Sequence, residues 1–225
     1  MEKLTILFED QDLLLLKKPI GILSQEGDGE TVPSLLKNSE RDYIGIIHRL
    51  DRNVGGTMVY AKNKEAAAKL STMVSEHSVI KEYLAIVEGE VEKEGIWEDL
   101  LFKDSSKNKV FVVKKERKGV KKAKLAFQCL AQVQDGAKTL SLVQIRLYTG
   151  RTHQIRVQFA SRKHPLVGDG KYGSKNNRCE EALWCYRLSF EHPRTKEKMT
   201  MHTLPEQSYP WNLFDVEQIL SETEK

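Results

Sequence analysis

The chain has 225 residues, of which 40% are apolar and 30% charged, and its formal net charge is +4. This length is enough to bury one substantial core, and we expect a single domain over residues 1–225. The longest apolar runs, such as that at 13–16, fall far below the roughly 18 residues of a membrane-spanning helix. The first residues show no secretion or transit signal, so we expect a soluble protein that stays in the cytosol.

Cysteine and histidine spacing argues against the disulfide-rich and zinc-binding classes of protein. Cys129, Cys179 and Cys185 form no Cys-x-x-Cys pair, and an odd number suits a disulfide scaffold poorly. The histidines show no zinc-ligand spacing beside cysteines. We therefore predict that the protein binds no metal.

The hydrophobic pattern of the first half changes period several times. Two short strands with a polar turn between them are predicted over 4–21. A strand over 56–62 precedes a helix over 63–77 with an apolar face. Residues 81–89 are apolar on both faces, which predicts a strand buried on both sides.

The second half begins with two long strands, 123–133 and 140–150, joined by a hairpin turn. Residues 151–163 return to helical spacing, and strands at 182–193 and 197–205 precede a closing helix. Strands outnumber helices without regular alternation, which predicts an α+β fold with a mixed, mostly antiparallel central sheet and packed helices. On 123–133, five alternating side chains are predicted to share one face: Leu125, Phe127, Cys129, Ala131 and Val133.

Positive charge is concentrated in residues 103–124, which we call the basic segment. It holds ten Lys or Arg residues against Asp104 and Glu116, a local charge of +8, which leaves −4 for the rest of the chain (+4 minus +8). Such clustering indicates a polyanion partner. A solvated, Lys-rich hairpin is the alternative interpretation.

The stretch IIHRLDRNVGG, residues 46–56, places Asp51 among His48, Arg49 and Arg52, directly before two glycines. Guanidinium groups near a carboxylate favour its charged form, so we expect an ionised and oriented Asp51. The alternative is an ordinary Asp–Arg loop pair, since exposed pairs are common and contribute little to stability.

A second constellation, LYTGRTHQIRVQ, places Arg151, His153, Gln154 and Arg156 on the first turns of the predicted helix. Cations at a helix N-terminus oppose the macrodipole unless an anion lies there. The Asp51 carboxylate is one candidate anion, and a nucleic-acid phosphate is another. A basic helix end exposed to water is the alternative interpretation.

Three motifs in this order and spacing resemble the RluA-type family of pseudouridine synthases: HRLD followed two residues later by VGG, then KEYLAIVEGEV, then TGRTHQIRVQFASRKHPLVGDGKYG. The stretches ILFEDQDLLLLKKPIGIL and LSFEHPRTKEKMT also resemble that family's ends. The resemblance spans residues 4–205 and implies the pseudouridine synthase catalytic fold, with a central cleft.

The resemblance implies an isomerase that detaches uracil from C1′ of a uridine in rRNA or tRNA, turns it and rejoins it through C5, with no cofactor or metal. Asp51 would be the catalytic carboxylate, either attacking C1′ or taking a proton from C2′. Tyr83, by itself typical of a buried core residue, would stack on the base, and Arg151 would pair with Asp51. Glycoside hydrolysis normally uses two carboxylates, but here one can suffice because the leaving uracil is reused.

Family members flip the target uridine out of its helix or loop, which a buried carboxylate also demands. His48 and Arg49 would brace the vacated stack and contact phosphates. The other predicted RNA-binding residues are Arg52, His153, Gln154 and Arg156 and, in the basic segment, Lys114, Lys115, Lys121 and Lys122.

Two features depart from the family pattern. Val54 and Gly55 stand where Thr and Ser are usual, which removes hydroxyls that could orient the loop. Many relatives also carry a small basic RNA-binding module ahead of the catalytic domain, whereas this chain begins almost at once with the catalytic pattern. We therefore expect the basic segment to act as a mobile RNA-contacting arm, and we expect a monomer.

Two other functions fit the sequence less well. HRLDRN resembles a protein-kinase catalytic loop, but there the Asp follows Arg directly, and no G-x-G-x-x-G-x-V or D-F-G accompanies it here. A non-catalytic RNA-binding protein on the same fold is the alternative from another class. Such a protein would not need Asp51, Tyr83 and Arg151 together.

Overall fold

The structure, a computed structural model, describes residues 4–37 and 43–223. In this part of the chain the strands are β1 (Thr5–Glu9), β2 (Leu13–Lys18), β3 (Gly45–Ile46), β4 (Gly55–Ala61), β5 (Ile80–Glu88), β6 (Glu94–Asp104), β7 (Lys109–Val113), β8 (Val120–Asp135), β9 (Lys138–Leu147), β10 (Leu183–Glu191) and β11 (Lys198–His202). The helices are α1 (Val32–Lys37), α2 (Lys64–Ser75), α3 (Gln154–Ser161) and α4 (Val216–Thr223).

The chain forms two compact units. The first comprises residues 1–81 and 184–205, and the second comprises residues 82–183 and 206–225. Each unit therefore combines stretches that are far apart in the sequence. One catalytic domain over 1–225, and the central cleft, stay predictions.

The first unit is built on a mixed sheet in the order β1-β2-β4-β10, with β3 beside β4 and β11 beside β10. β10 runs parallel to β4, whereas the pairs β1–β2, β2–β4, β3–β4 and β10–β11 are antiparallel. The four leucines of β2 are fully buried. Because successive side chains point to opposite faces, both faces of this strand are covered.

Helix α2 is stabilised by a capping side chain at its start and by a buried apolar face. The Asn63 side chain accepts a hydrogen bond from the Ala66 backbone N–H at 2.8 Å, which satisfies one of the donors left open at a helix start. Ala66 and Leu70 are buried on the predicted apolar face. The two predicted strands at 4–21, the strand at 56–62 and this helix are confirmed.

The second unit holds strands in the order β5-β9-β8-β6-β7. β6 is antiparallel to both β7 and β8 and lies between them. The residues 114–119 that connect β7 to β8 therefore pass across β6, and the Arg117 guanidinium lies 4.3 Å from the centre of the Phe102 ring. The basic segment thus contains the last two residues of β6, all of β7 and the start of β8. The sequence did not predict β6 or β7.

The predicted single face of strand 123–133 is wrong beyond Cys129. The register shifts between Cys129 and Ala131, so that Cys129 pairs with Val143 but Ala131 pairs with Leu142. One extra residue in the strand turns the following side chains to the opposite face of the sheet. The predicted hairpin turn is confirmed, because Asp135 pairs with Lys138.

Helix α3 covers one face of the second unit's sheet. Phe159 packs edge-on against Trp97 and Phe127, with ring centres 4.6 and 5.6 Å away. One turn closer to the start of the helix, Val157 packs on Leu101, Val110 and Ala123. The predicted α+β class with a mixed, mostly antiparallel sheet is confirmed. In the described ranges no helix has the length and apolar character needed to cross a bilayer.

Candidate active site

Asp51 lies in the first unit, in the loop between β3 and β4. Hydrogen bonds to the backbone of the residues on either side of it hold this loop in place. Ser24 Oγ donates to the Leu50 carbonyl at 2.9 Å and accepts from the Leu50 N–H at 3.2 Å. On the other side, the Arg52 carbonyl accepts from Lys18 Nζ at 3.1 Å and from the Gly21 N–H at 2.9 Å. The half-buried Asp51 is therefore held between two anchored residues.

The two arginines beside Asp51 reach the neighbouring loop. Arg49 donates to the Gln25 side-chain oxygen at 3.0 Å, and Arg52 donates to the Asp28 carbonyl at 3.1 Å. Both arginine side chains are exposed. A phosphate could therefore compete for either guanidinium, because exposed neutral acceptors hold such groups weakly.

His48 is buried at 9% exposure, which sets it apart from the other basic residues of the loop. Its Nε2 accepts from the Val59 N–H at 3.3 Å, while Nδ1 has no hydrogen-bond partner among the described residues. Burial, aided by the positive charge of Lys81, lowers the pKa of His48 to about 3. A buried, uncharged imidazole does not suit a phosphate contact, so its predicted RNA role lacks support from its placement.

The first glycine after the Asp51 loop faces an aromatic ring. A Cβ placed on Gly55 would come within 2.2 Å of the Trp184 ring. Gly56 has φ +125°, and a Cβ there would lie 2.3 Å from the Cys185 carbonyl. The close parallel pairing of β4 and β10 therefore excludes side chains at both positions, which explains why Gly55 cannot be the serine of the usual pattern here.

Tyr83 and Arg151 belong to the second unit. Tyr83 is buried at 6% exposure and is followed on β5 by the fully buried Leu84. Arg151 is exposed, and its Nε donates to the Lys122 carbonyl at 2.9 Å. The structure thus brings together Arg151 and Lys122, two residues that the sequence analysis singled out separately.

Gln154 organises the segment that carries Arg151. Its side-chain oxygen accepts from Thr149 Oγ1 at 2.8 Å and from the Arg151 N–H at 3.0 Å. Its side-chain nitrogen donates to the Lys124 carbonyl at 3.1 Å. Gln154 is buried, so its placement favours shaping this loop over the predicted contact with RNA.

The start of α3 differs from the prediction. The helix begins at Gln154, so Arg151 and His153 precede it instead of lying on its first turn. His153 occupies the N-cap position with φ +49°, a left-handed conformation that is uncommon outside glycine. Its Nδ1 lies 2.9 Å from the Tyr172 hydroxyl.

Arg156 is the one predicted RNA contact that is buried in ion pairs. It donates to both carboxylate oxygens of Asp169, at 2.6 and 2.8 Å, and its Nη1 lies 3.0 Å from Glu181. All three side chains are less than a tenth exposed. The anions beside Arg156 are therefore Asp169 and Glu181, which disfavours its predicted contact with RNA. An Asp51 carboxylate or a phosphate near Arg151 and His153 stays a prediction.

The lysines predicted to bind RNA lie at the surface. Lys114, Lys115, Lys121 and Lys122 are all exposed. Lys122 lies 3.2 Å from Glu116, in a pair exposed enough to contribute little. Their charges are available to a polyanion.

One group in the described part of the chain has the geometry of a metal site. Ligand atoms of Asp10, Asp12 and His192 lie within 4.8 Å of one another. His192 Nε2 bonds Asp10 at 2.9 Å, and Arg194 donates to both oxygens of Asp12 at 2.5 and 2.6 Å. The Arg194 hydrogen bonds lower the pKa of Asp12 to about 2. A guanidinium already balances this carboxylate, which disfavours a metal cation beside it.

Several residues that shape these loops escaped the sequence analysis. Ser24 and Lys18 act on the Asp51 loop from 26 and 34 positions away. Tyr172 reaches His153 from 19 positions away. The KYG stretch within the third motif was the available signal for Tyr172, whereas nothing local marked Ser24.

Comparison with known proteins agrees with the motifs. The model of the RNA pseudouridylate synthase family matches residues 12–161. The tRNA pseudouridine synthase C of Haemophilus ducreyi is 33% identical over 92% of this chain and 93% of its own length. The ribosomal large subunit pseudouridine synthase D of Neisseria meningitidis is 32% identical over 92% of this chain, but only 59% of its own length is covered.

A solved structure shows the same fold. Human RNA Pseudouridylate Synthase Domain Containing 1 superposes with a TM-score of 0.81, at 22% identity, over 99% of this chain and 95% of that protein. The matched region contains Asp51, Tyr83 and Arg151, each within the motif that first suggested it. The chain belongs to the RNA pseudouridylate synthase family and is an RNA isomerase.

Proposed function

We propose that this protein isomerises specific uridines of tRNA or rRNA with Asp51 as its catalytic carboxylate. The family match over residues 12–161, with the HRLD motif intact, carries the proposal. Anchoring of Leu50 and Arg52 on both sides of Asp51 supports it. A carboxylate must be held in a fixed geometry to meet one atom of a sugar.

The reaction is an isomerisation, so its bonds balance without an outside reagent. The N1–C1′ bond breaks, a C5–C1′ bond forms, C5 loses its proton and N1 gains one. Asp51 either attacks C1′ or takes the C2′ proton. By resemblance to the family, Tyr83 would stack on the base and Arg151 would keep the carboxylate ionised.

RNA contacts are proposed for the exposed cations on both units. Arg49 and Arg52 flank Asp51, and four lysines of the basic segment supply phosphate contacts: Lys114, Lys115, Lys121 and Lys122. His153, half-buried at the N-cap of α3, is a further proposed RNA contact. Action in the cytosol, as a monomer and without a metal stays a prediction.

The relatives suggest which RNA to test first. The relative named for tRNA is matched over almost its whole length, whereas the relative named for the ribosomal large subunit is matched over 59%. We therefore propose tRNA as the first candidate substrate and rRNA as the second.

Loss of the C5 proton offers a direct assay. Transcripts of tRNA and rRNA carrying tritium at uracil C5 are incubated with the purified protein, and tritium released to water is counted. We expect release from one RNA class, at a site that loses pseudouridine in cells lacking the gene. Release from neither class, together with unchanged pseudouridine maps, would contradict the proposal.

A further inference from the structure

The two faces of the second unit's sheet differ in burial. Residues paired directly across β6, β7 and β8 point to the same face, so the register assigns each side chain to a face. The face toward α3 holds the buried residues Leu101, Val110 and Ala123. We call the opposite face the outer face, and its members include Ile96, Leu100, Phe102, Phe111, Lys122 and Arg146.

Large apolar side chains lie on the outer face without being buried. Ile96 is 62% exposed and Phe111 is 37% exposed. Phe102 lies directly opposite Phe111 across β6 and β7 and is half-buried, as are Leu100 and Val113, which form a neighbouring pair. Single exposed apolar residues are common on soluble proteins, whereas several neighbouring ones indicate an interaction surface.

Cations lie beside the two phenylalanine rings of the outer face. The Arg117 guanidinium carbon is 4.3 Å from the centre of the Phe102 ring, and Lys109 Nζ is 6.0 Å from the centre of the Phe111 ring. Both distances fall within the range of cation–π attraction. The rings and the positive charges therefore form one surface.

A third ring extends the outer face beyond the end of β9. The Tyr148 N–H donates to the Lys124 carbonyl at 3.1 Å, and the Tyr148 ring centre lies 5.7 Å from Lys124 Nζ and 5.4 Å from Arg146 Cζ. Lys124 pairs with Glu98, and Arg146 pairs with Ala126, which places both cations on the outer face. Because β7 and β9 are three strand spacings apart, roughly 15 Å, the surface is wide enough for more than one base.

The charge of this surface favours a polyanion over an apolar protein partner. Residues 114–119, which reach the outer face through Arg117, contain four Lys or Arg residues against Glu116. The acidic residues of the outer face are paired, Glu98 with Lys124 at 2.7 Å and Asp104 with Lys107 at 3.9 Å. An unpaired nucleotide matches rings beside cations, because its base stacks on a ring while its phosphate needs a positive charge.

We propose that the outer face is a stacking platform for unpaired nucleotides of the substrate RNA, with Phe102, Phe111 and Tyr148 beneath the bases. The inference rests on the proposed function and deepens it, because it gives a binding site to nucleotides other than the target uridine. It also separates two kinds of contact. The rings supply affinity that depends little on salt, whereas the lysines supply affinity that falls as salt rises.

The first experiment compares two double variants of the full-length protein. One carries Phe111→Leu and Tyr148→Leu, which keep apolar side chains but remove the rings, and the other carries Phe111→Tyr and Tyr148→Phe, which keep the rings. Binding of unpaired RNA of about ten nucleotides is measured by fluorescence anisotropy over a range of salt concentrations.

We expect the leucine variant to bind at least about 10-fold more weakly, with the same dependence of log affinity on log salt as the wild type. The variant that keeps the rings should bind within about threefold of the wild type. Equal affinities for the two variants would overturn the inference. So would a loss in the leucine variant that comes with a flatter salt dependence, because that would report lost phosphate contacts.

A second measurement uses the unaltered protein, so it does not depend on the folding of any variant. RNA that carries 5-iodocytosine in an unpaired stretch is irradiated in complex with the protein, and the crosslinked residues are identified by mass spectrometry. Cytosine is used because the proposed reaction does not isomerise it. We expect crosslinks at Phe102, Phe111 or Tyr148, and crosslinks confined to other residues would overturn the inference.

The same experiments separate this inference from other occupants and from the proposed function. If a second copy of the chain occupied the outer face, the wild type would sediment as a dimer that the leucine variant dissociates, with unchanged RNA affinity, and the inference would be overturned. Crosslinks on the outer face without any tritium release would contradict the proposed reaction and support the platform. Tritium release with crosslinks only elsewhere would overturn the platform alone.

Discussion

Arg151 donates from its Nε to the backbone carbonyl of Lys122, 2.9 Å away. The bond joins the arginine of the third motif to β8, whose first residues, 120–124, belong to the basic segment. Two residues along β8, the Lys124 carbonyl accepts from the Gln154 side-chain nitrogen at 3.1 Å, and the Lys124 N–H donates to Thr149 Oγ1 at 2.8 Å. RNA held by the lysines would therefore be held in a fixed relation to Arg151.

This relation makes the basic segment a direct test of RNA contact. Replacing its four exposed lysines with glutamine should lower RNA affinity about 10- to 100-fold at low salt. It should also flatten the dependence of log affinity on log salt by up to about three units, because each lost phosphate contact removes counterion release. The replaced residues are Lys114, Lys115, Lys121 and Lys122.

A matched variant separates location from net charge. It carries four glutamines at exposed lysines of the first unit: Lys64, Lys69, Lys196 and Lys198. Its salt slope, measured by the same filter-binding titration, should stay close to that of the wild type. Equal slopes for the two variants would return the basic segment to the interpretation of a solvated surface.

Gly55 and Trp184 provide a test of the loop after Asp51. A Cβ at position 55 would lie 2.2 Å from the Trp184 ring, and that ring is fixed by a 2.8 Å bond from its Nε1 to the Thr203 carbonyl. Gly55→Ser should therefore lower the free energy of unfolding by about 1–3 kcal/mol. Denaturant titration measures this cost.

The same substitution in a Trp184→Leu background separates crowding from other causes. If the ring is the obstacle, the cost of Gly55→Ser should fall by at least about 1 kcal/mol in that background. An equal cost in both backgrounds would mean that Trp184 is not what excludes the serine.

His48 makes a prediction about pH. Its pKa is about 3 in the folded protein against 6.5 for the ordinary side chain, so between these values the unfolded chain binds a proton that the folded chain does not. Stability therefore falls as the pH drops below 6.5. Through His48, the free energy of unfolding should decrease by about 2 kcal/mol between pH 7 and pH 5. Asp12 does not interfere, since its carboxyl titrates below this window in both states.

The measurement is the difference between wild type and His48→Gln. Glutamine can still accept from the Val59 N–H but does not titrate. Because the other histidines are common to both proteins, only His48 contributes to the difference. The free energies of unfolding of the two proteins could instead fall in parallel between pH 7 and pH 5. That result would contradict a His48 that is buried and neutral in the folded protein.

The features of this chain that can be predicted from sequence are those with a local signal. The alternation of β9, the apolar face of α2 and the spacing of the three motifs are all periodic or contiguous, so they could be found without tertiary structure. The face switch after Cys129 could not be found, because Ala131 and Val133 continue the apolar alternation that the extra residue interrupts.

The same limit applies to the candidate site. For the cations near the start of α3, the sequence suggested the Asp51 carboxylate or a phosphate as the anion. It did not point to the partners of Arg156, because Asp169 and Glu181 lie 13 and 25 positions farther along the chain. The anchors of Asp51 were hidden for the same reason. Residue types were predictable here, whereas their partners depended on how distant segments pack.

The buried ion pairs of Arg156 lead to a prediction about the stability of the protein. Arg156→Leu leaves two carboxylates buried without their guanidinium and should cost about 3–5 kcal/mol of unfolding free energy. Arg151→Leu, which removes an exposed guanidinium with one bond to a carbonyl, should cost about 1 kcal/mol or less. Denaturant titration compares the two, and similar losses would show that the buried pairs do not set Arg156 apart.

Asp51→Asn tests the central claim most directly, because it keeps the size of the side chain and removes only its charge and basicity. With tritium-labelled RNA, we predict that release falls by at least about 10³-fold, while the dissociation constant for RNA stays within about threefold of the wild type. Tritium release at the wild-type rate from the Asp51→Asn protein would contradict the account.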